Sequence, residues 1–383
     1  MMRRYAIAVG AAALAACAGE TAGPGAPPTD VRLVASVPIP AFYGIHDMVV
    51  RDGLAFVCAW DSGMILFDVG HGIRGGSPSQ PVRVSQVVTP GGQVHNAWWF
   101  HNPNGEKRYL FIGEEGPGKI GESSSGDIHV VDVADLTQPQ VVGSFHLAGA
   151  GTHNFWMDES AQILYAAYYN GGVVALDVSG ALPGDLSSRL IDSIRPGGTD
   201  STFVWGVQLY DGFLYAIDML TGLWRLNTVG GSLSPAGGGR NVPERFSSDL
   251  WVANGYAYTG TWGYRGLRSG NAVKVWRLRQ TGGPLLVDSV ITTGITTVSD
   301  VEVNADGKLL MFSAEGGPGA GFYFYSLADP AKPTFAGNYG VADNTQGIHT
   351  ATFATINGRT YAFGARDPSA PALLILDVTS LIP

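Results

Sequence analysis

The sequence predicts an all-β protein, a seven-bladed β-propeller whose last blade is closed by the N-terminal strand. Three observations lead to this prediction. Apolar residues recur in the short runs that are typical of strands, a unit of roughly 50 residues repeats along the chain, and one strand stands alone ahead of the first unit. Because a unit of this size cannot bury its apolar faces by itself, the copies must pack against one another.

The clearest copy of the unit lies between Gly151 and Gly180. It contains three predicted strands, His153 to Met157, Ile163 to Tyr169 and Val173 to Val178. Within them apolar residues alternate or form blocks bounded by Gly, Asn, Asp and Ser. This pattern indicates strands, since an amphipathic helix would space its apolar residues three and four apart.

Seven copies can be aligned on the two residues that open the first strand. These pairs recur at intervals of about 43 to 58 residues, which is near the period of propeller blades. The pairs are His46-Asp47, His95-Asn96, His153-Asn154, Trp205-Gly206, Ser248-Asp249, Ser299-Asp300 and His349-Thr350.

Six of the seven copies carry an Asn-Gly or Asp-Gly dipeptide after the first strand. These dipeptides supply the positive φ angles of a tight type I′ turn, so each predicts a β-hairpin. They are Asp52-Gly53, Asn104-Gly105, Asp211-Gly212, Asn254-Gly255, Asp306-Gly307 and Asn357-Gly358.

The closure of the ring is predicted from a strand without a blade and a blade without its outer strand. Val31 to Pro40 reads as a strand ahead of the first copy, whereas the last copy finishes at Leu373 to Val378 with no outer strand after it. The first strand should therefore complete the last blade. Residues 31–383 then form one propeller without open sheet edges.

The first 17 residues are typical of a secretory signal peptide, with Arg3 and Arg4 ahead of an apolar stretch too short to span a bilayer. Leu14-Ala15-Ala16-Cys17 resembles the lipobox of bacterial lipoproteins. That resemblance implies an acylated Cys17, a protein of the bacterial cell envelope and, because Ala18 follows, the outer membrane. Residues 18–30 are rich in Gly and Pro and read as a flexible tether.

Composition narrows the classes of function. The chain is 45% hydrophobic and 14% charged, which suffices for a large core, and its formal charge is -9. No basic stripe is visible, so nucleic acid is not an expected partner, and a monomer is expected. The acidity is interpreted as an aid to solubility, with an acidic binding face as the alternative.

Cys58 is the one thiol left after lipidation, either a core residue or a catalytic thiolate.

Four predicted third strands close on a similar motif: Phe67-Asp68-Val69, Val131-Asp132-Val133, Leu176-Asp177-Val178 and Leu376-Asp377-Val378. These motifs resemble the LVIVD-repeat proteins, a family of bacterial secreted propellers with no single established activity. Leu226-Asn227, Arg277-Leu278 and Ser326-Leu327 depart from the pattern in the other copies. The resemblance implies the fold and export.

The opening residues suggest a metal site. In a propeller the starts of the innermost strands meet at one face of the central channel, so His46, His95, His153 and His349 should converge there. Neutral imidazoles are ligands for iron, copper or zinc. Carotenoid-cleaving oxygenases are similar in outline, since they are seven-bladed propellers with four histidines on an axial iron. The alternative is that these histidines hydrogen-bond to neighbouring strands and specify the fold.

Charged and aromatic residues near the same face form a candidate binding surface. They are Glu114, Glu115, Trp262, Glu315, Arg366 and Asp367. The leading hypothesis is a lipid-anchored binding or scaffold propeller that holds a protein, peptide or glycan through these loops. The alternative is a metal-dependent enzyme of oxygenase or lyase type centred on the four histidines. Other aromatic residues, Trp98 and Trp156 among them, either pack between blades or form a stacking platform.

Overall fold

The computed structural model describes residues 31–118, 124–198, 202–263, 268–341 and 346–382. Within these ranges the chain forms 29 strands, β1 to β29, and two short 3₁₀ helices, Ser187–Arg189 and Thr379–Leu381. None of the helices in the described ranges is long and apolar enough to cross a bilayer.

The first half of the described chain supplies β1 and three complete blades. The chain enters with β1 (Arg32–Pro38). Blade 1 contains β2 (Asp47–Arg51), β3 (Leu54–Cys58), β4 (Met64–Asp68) and β5 (Val82–Val87). Blade 2 contains β6 (Val94–Trp99), β7 (Tyr109–Glu114), β8 (Ile128–Asp132) and β9 (Gln140–Phe145). Blade 3 contains β10 (Phe155–Asp158), β11 (Ile163–Ala167), β12 (Val173–Asp177) and β14 (Leu190–Ile194). The short strand β13 (Gly184–Asp185), between β12 and β14 in the chain, pairs with β9 and so extends the sheet of blade 2.

The second half supplies the remaining four blades. Blade 4 contains β15 (Val204–Tyr210), β16 (Phe213–Asp218), β17 (Gly222–Val229) and β18 (Ser232–Gly238). Blade 5 contains β19 (Phe246–Ala253), β20 (Tyr256–Trp262), β21 (Ala272–Arg277) and β22 (Leu285–Ile291). Blade 6 contains β23 (Thr297–Val303), β24 (Leu309–Glu315), β25 (Gly321–Ser326) and β26 (Thr334–Gly340). Blade 7 contains β27 (Ile348–Ile356), β28 (Arg359–Arg366), β29 (Ala372–Asp377) and, on its outside, β1.

These sheets form a closed ring, which confirms the predicted seven-bladed propeller. The innermost strands contact one another in the order β2, β6, β10, β15, β19, β23 and β27, and β27 contacts β2 again. Seven hydrophobic clusters lie between the blades, one at each junction. Because each sheet is covered on both faces, middle strands such as β3 and β11 are apolar throughout and buried.

The closure of blade 7 is as predicted. Strand β1 pairs antiparallel with β29, from Arg32 opposite Asp377 to Pro38 opposite Ala372. The Arg32 guanidinium also lies 3.2 Å from the Asp377 carboxylate. The ring is therefore closed by hydrogen bonds between the beginning and the end of the described chain, and β29 has no free edge.

Four of the six dipeptide turns have the predicted backbone. Asp52, Asp211, Asn254 and Asn357 have φ angles of 51°, 48°, 54° and 51°, and positive φ at the glycine that follows completes a type I′ turn. The prediction is wrong at Asn104 and Asp306, where only the glycine has positive φ. In the second case the Gly307 N–H donates to the Asn304 carbonyl at 2.8 Å, so a type I turn ends in a left-handed glycine.

Cys58 belongs to the core. It is fully buried in β3, and burial raises the pKa of its thiol well above the ordinary range. A thiol that stays protonated at neutral pH is not a nucleophile. The catalytic alternative for this residue is therefore disfavoured.

Asp68, at the end of β4, anchors the loop that follows. One carboxylate oxygen accepts hydrogen bonds from the N–H groups of residues 70, 71 and 72, and the other from those of residues 74 and 76, at 2.7 to 3.2 Å. Burial raises the pKa of Asp68, but these hydrogen bonds outweigh it and lower the pKa to about 2.

We expect Asp68→Asn to lower the free energy of unfolding at pH 7 by about 2 kcal/mol, since each unit of pKa shift corresponds to about 1.4 kcal/mol. The folded-state pKa lies below the unfolded value, so this stabilisation is complete above about pH 4 and is lost as the pH falls towards 2. Urea unfolding at pH 7 and pH 3 measures it. Asp211→Asn, in the exposed hairpin turn of blade 4, is the control and should change little. Equal losses in the two variants, or no pH dependence, would contradict the prediction.

Candidate metal centre

The four predicted histidines meet at one end of the channel, which we call the mouth. His46 immediately precedes β2, His95 lies in β6, His153 precedes β10 and His349 lies in β27. The ring centroid of His46 lies 4.9 Å from that of His349 and 5.6 Å from that of His95. The ring centroids of His95 and His153 are 4.0 Å apart. They form a row in the order of their blades.

A smaller group within this row has the geometry of a metal site. The Nε2 atoms of His95 and His153 each lie 3.6 Å from the same oxygen, Oε1 of Glu115, and the three candidate ligand atoms lie within 4.8 Å of one another. A separation of 3.6 Å is too long for a hydrogen bond. It is close to the spacing of ligands that share one ion with bonds of about 2.0 to 2.2 Å.

Burial makes this group chemically unusual. His95, His153 and Glu115 are at most 3% exposed. Neither ring nitrogen of His95 or His153 has a hydrogen-bond partner in the described part of the chain. Buried polar groups in folded proteins nearly always have a partner, and a ligand shared by the two Nε2 atoms and the Glu115 carboxylate would supply one here.

The electrostatic surroundings favour the protonation state that a metal needs. Burial, and then the charges of neighbouring histidines, lower the pKa values of His95 and His153 well below the ordinary range, so both rings are neutral. The Trp205 carbonyl lies near the His153 ring without meeting the geometry of a hydrogen bond. It raises the pKa of His153, but by less than burial lowers it. Burial raises the pKa of Glu115 to about 7 although the Tyr169 hydroxyl donates to it, so a bound cation would be needed to fix the carboxylate as an anion.

Aromatic rings surround the group. Trp60 stacks on His46 with centroids 4.1 Å apart, and Trp205 lies 4.3 Å from His153. Tyr169 lies 5.0 Å from His153, and Trp262, one of the predicted binding residues, packs behind Trp205 at 5.1 Å. This shell limits access of water to the imidazoles and fixes their orientation.

His349 and His46 lie outside the group of three. The Nδ1 atom of His349 is 2.5 Å from Oε1 of Glu315, which also accepts a hydrogen bond from the Ser299 hydroxyl. Burial lowers the pKa of His349, but the charge and the hydrogen bond of Glu315 outweigh it and raise the pKa to about 10. His349 is therefore a cation paired with Glu315, and an imidazolium cannot ligate a metal.

The remaining predicted binding residues are less exposed to solvent than loop residues usually are. Glu114 is 2% exposed, accepts hydrogen bonds from the N–H groups of residues 91 and 92, and lies 3.2 Å from Nε2 of His129. Asp367, whose backbone N–H donates to the Gly347 carbonyl, has a pKa raised by burial and by the charge of Glu315. Arg366, the last residue of β28, is half-buried. Glu114 thus supports the blade, and His129 is a partner that the sequence analysis missed.

The second residues of several opening pairs interact with one another in the channel. The Asn96 side-chain amide donates to Asp47, and that of Asn154 donates to Asp249 at 2.8 Å. Burial raises the pKa of Asp47 to about 7 and that of Asp249 to about 6. Burial and the charge of Asp249 raise the pKa of Asp300 well above the ordinary range. The first hydrogen bond joins the neighbouring blades 1 and 2 and the second joins blades 3 and 5, and the raised pKa values bring the titration of these carboxyl groups closer to neutral pH.

Comparison with solved structures identifies the class of fold. The chain is similar to the WD40 β-propeller domain of Doa1, with a TM-score of 0.64 and 10% identity over 93% of this chain and 100% of that one. It is also similar to a chain of the Mitotic Checkpoint Complex, with a TM-score of 0.64 and 11% identity over 91% and 96%. At these identities the likeness concerns the fold alone. A ring of this kind is consistent with a binding or scaffold module. No protein-family model matches the sequence, and no curated protein matches it.

Proposed function

We propose that this protein is a binding propeller of the bacterial cell envelope whose functional centre is one transition-metal ion held by His95, His153 and Glu115. The observation that carries the proposal is the pair of buried imidazoles without partners, each 3.6 Å from one carboxylate oxygen. Burying such groups costs free energy unless something satisfies them. One divalent ion would bind the Nε2 atom of each imidazole together with the carboxylate.

The donor set narrows the ion. Two imidazoles and one carboxylate are ligands for zinc and non-haem iron, and imidazole also suits copper. Three protein ligands leave coordination positions for a small molecule, as in catalytic rather than structural sites. This count favours a second candidate function, a metal-dependent oxygenase or lyase, in which the cationic His349 near the centre would stabilise negative charge on a substrate.

Location in the envelope is the second part of the proposal. The lipobox that ends at Cys17 and the LVIVD-like motifs support export and lipid anchorage at the outer membrane. Residues 1–30, with the signal peptide, Cys17 and the tether, lie outside the described residues. A protein or glycan partner in the envelope, held at the mouth, is the corresponding expectation for a binding module.

Metal analysis tests the centre. The soluble chain that starts after Cys17, exposed to zinc, iron(II) or copper and then desalted, should retain about one ion per chain. The double variant His95→Ala, His153→Ala should retain none, and Glu115→Gln should bind at least about tenfold more weakly. His146→Ala is the matched control, because His146 is a half-exposed histidine of the same region paired with Asp127. Metal-free protein, or unchanged binding in the double variant, would disprove the centre.

Cobalt substitution separates the open site from a purely structural ion. The visible spectrum of the cobalt(II) protein should change on addition of azide if a coordination position is open. A spectrum that azide leaves unchanged would be consistent with a structural metal ion and would contradict ligand binding and catalysis at it.

A further inference from the structure

A cavity opens at the end of the channel opposite the mouth. Its volume is about 560 Å³, within the range of small-molecule sites. It is lined by the last residues of the innermost strands of blades 1 to 4, β2, β6, β10 and β15, and by the turn after β10. None of the residues of the metal centre lines it, so it is a separate site.

Two indole rings form the apolar walls of this cavity. Trp98 of β6 and Trp156 of β10 are half-buried, with ring centroids 5.4 Å apart and planes at 60°. The ring centroid of Trp251 lies 6.0 Å from that of Trp156. Two flat apolar surfaces at an angle form a rigid corner that suits a ligand with a flat C–H face.

An ion pair within the wall balances the charge on one side of the cavity. The Arg51 guanidinium donates to both carboxylate oxygens of Glu159, at 2.5 and 3.0 Å. The indole N–H of Trp98 and the backbone N–H of His101 donate to the same carboxylate at 3.3 and 3.1 Å. An anionic ligand would have to break this bidentate pair to reach Arg51, which makes such a ligand unfavourable.

The rim offers hydrogen-bond acceptors. Asp158 accepts from the Ser160 hydroxyl at 2.7 Å and from the Ala161 N–H at 2.9 Å. A carboxylate has about four acceptor sites, so Asp158 can also accept from hydroxyl groups of a ligand. The cavity thus combines stacking surfaces, a neutralised ion pair and a free acceptor.

From this combination we propose that the cavity binds a neutral oligosaccharide. A pyranose ring stacks on Trp98 or Trp156, and its hydroxyls donate to Asp158. A sugar matches the site because its ring has an apolar C–H face and a polar edge, and it brings no charge that would compete for Arg51 or Glu159. This inference does not depend on the metal centre.

Titration calorimetry with cellotetraose, maltotetraose and chitotetraose tests the proposal, with tryptophan fluorescence as a second readout. At least one tetrasaccharide should bind, and Trp98→Ala and Trp156→Ala should each weaken binding at least about tenfold. Trp224→Ala is the matched control, because Trp224 is a half-buried tryptophan of blade 4 that does not line the cavity. Removing metal with a chelator should leave saccharide binding unchanged.

Three results would overturn the proposal. The first is no binding of any tetrasaccharide at about 10 mM. The second is binding that the two variants do not weaken. The third is saturable binding of choline or of a neutral aromatic peptide at the same tryptophans without saccharide binding, which would assign the corner to another ligand class. Trp98→Phe, which retains an aromatic ring, gives the same comparison if Trp98→Ala fails to fold.

Discussion

A chain that begins at Ile39, and so lacks β1, is expected to lose its cooperative thermal transition and to aggregate. Without β1 the last blade has three strands, and the edge of β29 becomes open to pairing with another chain. The side chains of Val34 and Val37, which pack against the cluster between blades 1 and 7, are lost as well. A domain of ordinary stability has only about 5 to 15 kcal/mol to lose.

Circular dichroism melting and size-exclusion chromatography measure this effect. A chain that begins at Val31 serves as the control and should behave like the longer chain. A permuted chain, with residues 31–38 attached after Pro383 through a short linker, should fold again, because Arg32 lies beside Asp377 at the end of β29. If the chain without β1 melted like the control, the strand would not be essential to the ring.

The second large effect concerns Asp300 in the channel. We expect Asp300→Asn to raise the free energy of unfolding at pH 8 by about 1 to 3 kcal/mol, because a neutral side chain avoids the cost of charging Asp300, or of keeping it protonated, at a desolvated position beside Asp249. The folded-state pKa of Asp300 lies above the unfolded value. The wild-type protein therefore has the full stabilisation below about pH 4 and loses it as the pH rises.

Urea unfolding at pH 5 and pH 8 checks the sign. The gain should be larger at pH 8 than at pH 5. Asp306→Asn, in an exposed turn of the same blade, is the control and should show no such pH dependence. A loss of stability of equal size at both pH values would mean that Asp300 acts as a charged acceptor for the Ala351 N–H, which lies 2.8 Å away.

The fold could be predicted because the signals that specify it are local. An Asp-Gly turn such as Asp52-Gly53 fixes a hairpin through its own φ angles, and the unpaired strand that became β1 could be found by counting strands. The two turns that were wrong, at Asn104 and Asp306, have the same dipeptides. Their loop lengths, which select the turn type, could not be read from the dipeptide alone.

The site was harder to predict, since it depends on which way each side chain points at the end of a strand. Glu114 and Glu115 are adjacent, yet one supports the loop before β6 and the other faces the histidines, as alternation along a strand requires. The separation of His349 from the other histidines arises from Glu315, which belongs to the neighbouring blade. The sequence does not show which residues of adjacent blades lie opposite each other. The pairing of His349 with Glu315 could therefore not be predicted.

The direction of β1 determines how the molecule would stand on a surface. Since β1 runs antiparallel to β29, Arg32 lies at the end of the ring that carries the tryptophan cavity, and Pro38 lies at the end that carries the mouth. If Cys17 is lipidated as proposed, residues 18–30 could hold the propeller no more than about 45 Å from the bilayer. The cavity would then lie at the end nearer the anchor and the metal centre at the far end, so two ligands could approach from opposite ends without competing.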